Sequence, residues 1–574
     1  MKIFNILLLP ISKNPRFFLS LVALFSISII PIEYGRCSRM RAGFEMFGDI
    51  YLLCVLVSLV PAKCKRWVKY ALFGLFYIVG LADMVCYRTM RIALVPNVFQ
   101  TWLQTNWQEA SEAFRIHATS DLLFTPVSLF LVLPFLLYAL RNRLRLQRYA
   151  VIALLCVSLA SVVYGINNKR YLWHVYTRVS DDDMQEPNDV ESMTHEYLPI
   201  YRLGLCIKEI NRFSNMRSHL LRNVKSTRID SCSFDSPIIV LIIGESYNRH
   251  HSSLYGYQLP TTPYQQQLYK EHSLYRFNDV IASYNLTFKQ FQNMLTLYNY
   301  DSSGLWYDYP ILPAIFKKAG YKVSFFSNQN TLDKASAFTD YSEDMFMNNS
   351  NISSYMFDVR NEKSHQYDMQ LADDYLTLTD TTSVSPQLVI FHFIGIHTDF
   401  KSRYPEEQAL FSASDYNRPD LSTEEKTTLA HYDNAIAYND KVIETIITLF
   451  QSKEAIVIYV PDHGELVYDD CQEMGRNFQN QRKYIIPQFD IPFWIYCTKQ
   501  YRENHPEICR LIEQAVDRPF MTDDLPHLLL FLGGIKCDGF QHQRNLIDEQ
   551  YDNNRIRMIK GECDYDRIIK PRGQ

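Results

Sequence analysis

Three apolar runs in this 574-residue chain end on residue types that ligate metals. The first, IIVLII from Ile238, runs through Gly244 into Glu245 and Ser246. The second, LVIFHFIGIH, ends on His397, and the third, AIVIYVPDHGE, ends on Asp462, His463, Gly464 and Glu465. Short unbroken apolar runs suit strands covered on both faces, as in a parallel sheet flanked by helices. In such sheets ligands bind beyond the carboxyl ends of the strands, so three distant runs would deliver their last residues to one edge. Two carboxylates and an imidazole make a mixed oxygen and nitrogen set that suits zinc and leaves one position for the reacting group. Taken singly each signal is weak, because a glutamate after a strand is often a helix cap and Asp-His-Gly is a common turn. Agreement at one edge turns the reading toward metal chemistry.

The nucleophile is sought in ASYNLTFKQFQNMLTLY, where Thr287 precedes Phe288, Phe291 and Leu295 at helical spacing. Gln290 follows three residues later, which predicts a capping box with Thr287 as the N-cap. Most such threonines only cap. A helix N-terminus also favours negative charge through its free N–H groups and macrodipole, so an alkoxide or a phosphothreonine would be stabilised there. Zinc would supply the deprotonation that a bare hydroxyl does not achieve near neutral pH. His250 and His251 are expected in a turn facing solvent, and His392 as a core histidine within its strand.

These side chains need a scaffold, and the chain changes character along its length. A formal net charge of -4 with no concentrated basic arm does not suggest a nucleic-acid partner, and none is expected. Five stretches, roughly 17–33, 46–63, 67–87, 122–140 and 149–166, approach the ~17–25 apolar residues that a membrane-spanning helix needs. No small-residue cleavage pattern follows the first, which is therefore expected to be retained as an anchor. Lys2, Lys13 and Arg16 precede the first span; Lys63, Lys65, Arg66 and Lys69 fill the second connection; Arg141, Arg143, Arg145 and Arg148 crowd the fourth. Those segments are expected in the cytoplasm, although Arg91 and Arg115 in an opposite loop blunt the bias. An odd number of spans then puts everything after residue 166 outside the cytoplasm.

The resulting division is a transmembrane domain over 1–166, a connector over 167–234 and a catalytic domain over 235–574. The connector stretch YLPIYRLGLCIKEINRFSNMRSHLLR suits an amphipathic helix at the bilayer surface or an ordinary linker. From Ser236 onward strand-like and helix-like runs alternate, which predicts a mostly parallel sheet flanked by helices. The expected fold is thus an N-terminal five-helix transmembrane bundle followed by an α/β sandwich. Of the 12 cysteines, Cys206, Cys232, Cys471, Cys497, Cys509, Cys537 and Cys563 lie beyond the spans, where an exported domain permits disulfides. Their odd number leaves at least one unpaired within the chain.

GESYNRHHSSLYGYQLPTTP, the Thr287 segment, IGIH and PDHGE together resemble the membrane-bound phosphoethanolamine transferases of the alkaline-phosphatase/sulfatase superfamily, closest to the branch acting on lipopolysaccharide core. The resemblance covers the whole chain and implies an alkaline-phosphatase-like fold. It implies zinc held by Glu245, Thr287, Asp462 and His463, with Thr287 as the nucleophile, and a place for His397 at the substrate phosphate or a second zinc. Asn328, in FFSNQN after a strand, is expected at the phosphoryl group. The chain also departs from the family: the commoner G-x-H-G-P pattern reads Ile396-His397-Thr398-Asp399, and a downstream Gly-His reads Gly475-Arg476. An arginine does not ligate zinc but forks onto phosphate, so Arg476 is expected as a phosphate contact in place of the usual second zinc.

The implied activity is transfer of phosphoethanolamine from phosphatidylethanolamine to lipid A or core of lipopolysaccharide, or another envelope glycolipid, through a phosphothreonine-type intermediate at a zinc site. The implied setting is a monomer in the bacterial inner membrane, multi-pass, with its N-terminus cytoplasmic and its catalytic domain periplasmic. A phosphoglycerol transferase of the same superfamily would differ in head group only. A catalytically inactive envelope sensor is the rival from another class, and retention of all four ligand types argues against it. The C/S-x-P-x-R context of formylglycine sulfatases is not found.

Overall fold

The computed structural model describes residues 2–30, 35–90, 93–94, 99, 126–140, 146–177, 198–329, 331, 345–477 and 479–569. It forms two compact units, Met1–Ser214 and Asn215–Gln574. Arg91, Arg115, Arg141, Arg143 and Arg145, on which part of the orientation argument rests, lie outside the described residues, as do residues 178–197 of the connector.

The first unit is helical: α1 (Lys2–Lys13), α2 (Pro15–Ser28), α3 (Gly35–Leu59), α4 (Ala62–Met90), α5 (Val127–Leu140) and α6 (Arg148–Thr177), followed by the start of α7 (Pro199–Ser226). Five spans were expected; among the described residues three helices are long and apolar enough, within Arg39–Leu59, Ala62–Arg88 and Arg148–Arg170. A fourth is reached only if α1 and α2, bent by 72° at the Asn14–Pro15 break, count as one. Helices α2 and α5 have 14 residues each, about 21 Å of rise against a hydrocarbon core of about 30 Å. Lys63, Lys65, Arg66 and Lys69 sit in the first turns of α4, leaving only Val60 and Pro61 between α3 and α4. Leu56, Ile78, Phe135 and Val163 project outward on this unit, which suits a surface solvated by lipid.

The second unit is built on one seven-stranded sheet. Its strands are β1 (Ile238–Gly244), β2 (Leu274–Phe277), β3 (Lys322–Ser327), β4 (Val359–Arg360), β5 (Gln387–His392), β6 (Ala455–Pro461) and β7 (Phe493–Cys497), in the spatial order β2-β7-β6-β1-β5-β3-β4. The run β6-β1-β5-β3-β4 is parallel throughout. The IPFWIYC segment was read within that pattern, but β7 runs antiparallel to both β6 and β2, so the sheet is mixed. Every residue of β1, β5 and β6 is buried, which is why these strands read as continuous apolar runs rather than alternating ones. Ile243 pairs with His392 and Gly244 with Pro461, so the three strands finish at the same level of one edge. Helix α8 (Thr287–Met294) is short, and α9 (Thr423–Phe450) is long and starts with a Ser422–Glu425 capping box.

The segment after β1 departs from expectation at His251. Its neighbour His250 is half exposed with Nε2 3.1 Å from Asp490, but His251 is buried, with Nδ1 2.7 Å from Asp433 and Nε2 3.3 Å from Asp469. Burial alone would lower its pKa, but the Asp433 and Asp469 carboxylates overcome this and raise it to about 10. The chain turns inward here because Tyr432 ties it down, its hydroxyl donating to the Ser246 carbonyl at 2.8 Å and accepting from the Asn248 N–H at 2.9 Å. His251→Gln is expected to destabilise the unit by about 3–5 kcal/mol by stranding a buried carboxylate. The wild-type contribution should be complete below the ordinary histidine value of 6.5 and disappear as pH rises through about 10. Urea unfolding of both proteins between these limits checks this; a pH-independent difference would contradict it.

Candidate metal centre

Glu245 leaves the end of β1 fully buried, and Asp462 and His463 leave the end of β6 beside it. One ligand atom from each lies within 4.8 Å of the others. Backbone locks this juxtaposition: the Asp462 N–H donates to the Gly244 carbonyl at 3.0 Å, and the Tyr247 N–H to the His463 carbonyl at 2.8 Å. Asp462 Oδ1 accepts from the Ser246 N–H at 3.1 Å and from its neighbour's N–H, that of His463, at 2.7 Å. Asp462 Oδ2 is buried and accepts no hydrogen bond from the described residues. Gly395 crosses so close that a Cβ there would stand 2.9 Å from the Glu245 nitrogen, and its φ of 50° also favours glycine.

The electrostatics fit a cation. Burial and the adjacent Glu245 charge push Asp462 well above the usual carboxylate range. Two carboxylates in this position ionise together only if a positive charge compensates them. Burial, helped by Arg476, lowers His463 to about 3, so its imidazole is neutral at ordinary pH. Its Nδ1 lies 2.8 Å from the Gly464 carbonyl, which can only accept, so Nδ1 carries the proton and Nε2 the lone pair. That Nε2 is 3.3 Å from Asp462 Oδ2 and 3.5 Å from Glu245 Oε1. A buried lone pair and an orphaned carboxylate oxygen facing one another are the donor set a zinc ion takes.

Thr287 is half-buried and its hydroxyl donates to Glu245 Oε2 at 3.1 Å. The predicted capping box is absent. Leu286 occupies the N-cap position and Thr287 is the first residue of α8, with no capping hydrogen bond from its side chain. Gln290 instead reaches back to the Ser283 hydroxyl and Tyr284 N–H through Oε1, at 2.8 and 2.9 Å, and donates to Thr522. The glutamine thus takes over the anchoring of the helix start and leaves the threonine hydroxyl turned to the carboxylate.

Of the remaining expected residues, Arg476 lies at the cluster, with Nη2 3.0 Å from His463 Nε2 and 3.6 Å from Glu245 Oε1. His397 is half-buried and near enough to act electrostatically on both Glu245 and His463. Asn328 is committed elsewhere: its Nδ2 donates to Asp368 at 2.6 Å and its Oδ1 accepts from the His365 N–H at 2.9 Å. The next residue reaches the cluster instead. Gln329 Nε2 donates to Glu245 Oε2 at 3.0 Å and to the Phe393 carbonyl at 2.7 Å. In FFSNQN it is thus Gln329, rather than the expected Asn328, whose side chain touches Glu245. His392 is a core residue, its Nδ1 2.9 Å from the Ser327 hydroxyl.

A model of the sulfatase family, described as Sulfatase, matches residues 237–535. Phosphoethanolamine transferase EptC of Escherichia coli (strain K12) is 32% identical over 319 residues, covering 54% of this chain and 53% of that protein. The chain thus spans about half the length of that curated relative. Among solved structures, the C-terminal periplasmic domain of EcEptC from Escherichia coli in complex with Zn aligns with a TM-score of 0.50 and 30% identity, covering 58% of this chain and 91% of that one. The integral membrane lipooligosaccharide phosphoethanolamine transferase A (EptA) from Neisseria meningitidis aligns with a TM-score of 0.59 over 93% of this chain and 98% of that one; at 15% identity the likeness is one of fold. The match of the family model over most of the second unit, which holds the whole cluster, establishes that the chain belongs to the sulfatase family.

Proposed function

We propose that this protein is a zinc-dependent phosphoethanolamine transferase that moves the head group of phosphatidylethanolamine onto lipid A or core of lipopolysaccharide. The observation that carries the reading is the Thr287 hydroxyl 3.1 Å from Glu245, in contact with the buried Glu245–Asp462–His463 cluster. The relatives named as phosphoethanolamine transferases and the Zn complex of one of them support it. Glu245, Asp462, His463 and Thr287 would hold the ion, which when bound supplies charge neutralisation and Lewis acidity toward the phosphoryl oxygens.

The chain's own residues then have distinct tasks. Glu245 Oε2 accepts the Thr287 hydroxyl hydrogen bond and orients the oxygen for in-line attack. The Thr287 Oγ–P bond forms as the hydroxyl proton passes along its hydrogen bond to Glu245 Oε2 and the bond from phosphorus to the diacylglycerol oxygen breaks, that oxygen taking a proton from His397 as it leaves. Thr287 stands at the start of α8, where the helix dipole favours the negative charge of a phosphothreonine. Arg476 forks onto the phosphoryl oxygens. A hydroxyl or phosphate of the glycolipid then attacks phosphorus, its proton passing to His397, while the bond from phosphorus to Thr287 Oγ breaks and Thr287 retakes its proton from Glu245. Anchoring in the bacterial inner membrane, with the second unit in the periplasm, keeps donor and acceptor in one bilayer.

The test is labelling of the purified protein by phospholipid carrying isotope in either ethanolamine or glycerol. Ethanolamine label on the peptide containing Thr287 is expected. Glycerol label would make it a phosphoglycerol transferase, and no label with either lipid together with zinc-free protein would favour a sensor. Mass analysis of envelope glycolipids with and without the protein identifies the acceptor.

A further inference from the structure

The loop carrying His397 is gripped from two sides by buried side chains outside the cluster. Beyond the end of β5 the chain leaves the sheet ladder, and the amides of Ile394 and Gly395 need other acceptors. Asp368, 5% exposed, provides them: Oδ1 accepts from the Ile394 N–H at 2.9 Å and Oδ2 from the Gly395 N–H at 2.8 Å. Asn328 Nδ2 adds a third hydrogen bond to Oδ1, which explains why its side chain turns from the cluster. Opposite, Arg403, 4% exposed, donates from Nε to the His397 carbonyl at 3.1 Å and from Nη2 to the Thr398 carbonyl at 2.7 Å. The Ile396 N–H donates to the Glu245 carbonyl at 3.2 Å, so the same loop is registered against the strand end that carries the first carboxylate. A carboxylate this deep is costly to desolvate and is supported here by three donors and a nearby guanidinium.

We propose that Asp368, with Arg403 opposite, is the positioning residue for His397: it fixes the backbone from 394 to 398 so that the imidazole stands over the Glu245–His463 cluster. The inference rests on the role given above to His397. Asp368 does not touch the reacting atoms and acts only through the loop.

Asp368→Asn in the full-length protein tests it. The amide keeps one accepting oxygen but sets an NH2 group against the Gly395 N–H. Hydrogen exchange across 393–398 should accelerate while zinc content stays unchanged, and kcat should fall about 10–100-fold, the usual cost of losing a supporting contact. In a His397→Ala background the same substitution should cost nothing further, because both changes remove one function. Unchanged exchange, or an equal loss of kcat in the His397→Ala background, would overturn the proposal. If Asp368→Asn does not fold, Arg403→Gln makes the same two measurements from the other side of the loop. Should His397→Ala alone turn over like wild type, the role of His397 fails, while the exchange rates still decide whether Asp368 holds the loop.

Discussion

Thr287→Ala should abolish both labelling by donor lipid and transfer, with turnover reduced at least about 10³-fold, as when a covalent nucleophile is removed. The change is chemically small. The Thr287 hydroxyl donates to Glu245 and anchors no helix cap, because Gln290 holds the start of α8. Its loss should therefore leave the unfolding temperature nearly unchanged, and Glu245, Asp462 and His463 still offer the three protein ligands typical of a catalytic zinc. Thr287→Ser keeps the oxygen at the helix start and should retain labelling. Full turnover by the alanine variant would mean that water, not the protein, attacks phosphorus. Had the predicted capping box formed, the alanine variant would confound lost chemistry with a frayed helix; the observed geometry separates them.

Asp462→Asn should have opposite effects on the zinc-free and the zinc-loaded protein. Without a cation, Asp462 is a buried carboxylate raised by burial and by Glu245. The folded state then binds more protons than the unfolded one, so the zinc-free wild type should lose stability as pH rises from the ordinary aspartate value of 3.8 toward the higher folded value. Asparagine removes that penalty and should raise the zinc-free midpoint at neutral and alkaline pH. With zinc the ranking inverts. Wild type gains about 4 kcal/mol at a thousandfold excess of free ion over its Kd, roughly 5 °C in midpoint for a unit of this length, and the variant gains much less. Thermal unfolding with and without chelator, with metal analysis, measures both. Equal zinc content in variant and wild type would remove Asp462 from the ligand set.

The legible and illegible parts of this molecule divide along physical lines. The ends of β1, β5 and β6 were readable because strands covered on both faces are written as unbroken apolar runs, and a polar residue after such a run marks an edge. Thr287 was readable as a helix start, but not the choice between Thr287 and Leu286 as N-cap, since boundaries shift by a residue or two and Gln290 has a better use. Gln329 was not singled out beside Asn328, because both lie past the end of β3, where the chain no longer alternates and sequence does not say which side chain turns to Asp368 and which to Glu245. His251 was read as exposed because its partners, Asp433 and Asp469, come from remote elements and leave no local signal. The direction of β7 was equally invisible, because a buried antiparallel strand has the same apolar composition as a parallel one. In the first unit hydropathy located the apolar segments, but among the described residues only three helices are long enough, with a fourth if the pair bent at Asn14–Pro15 counts as one.

The placement of β1 between β5 and β6 also dictates when the site comes into being. Its two neighbours follow it by about 150 and 220 residues, and such remote parallel pairings form slowly because large loops must close first. A nascent domain has Glu245 long before Asp462 and His463 can reach it. An ion bound at this cluster would therefore not seed the assembly of the chain; it would be a late lock, turned only after the central strands have already docked.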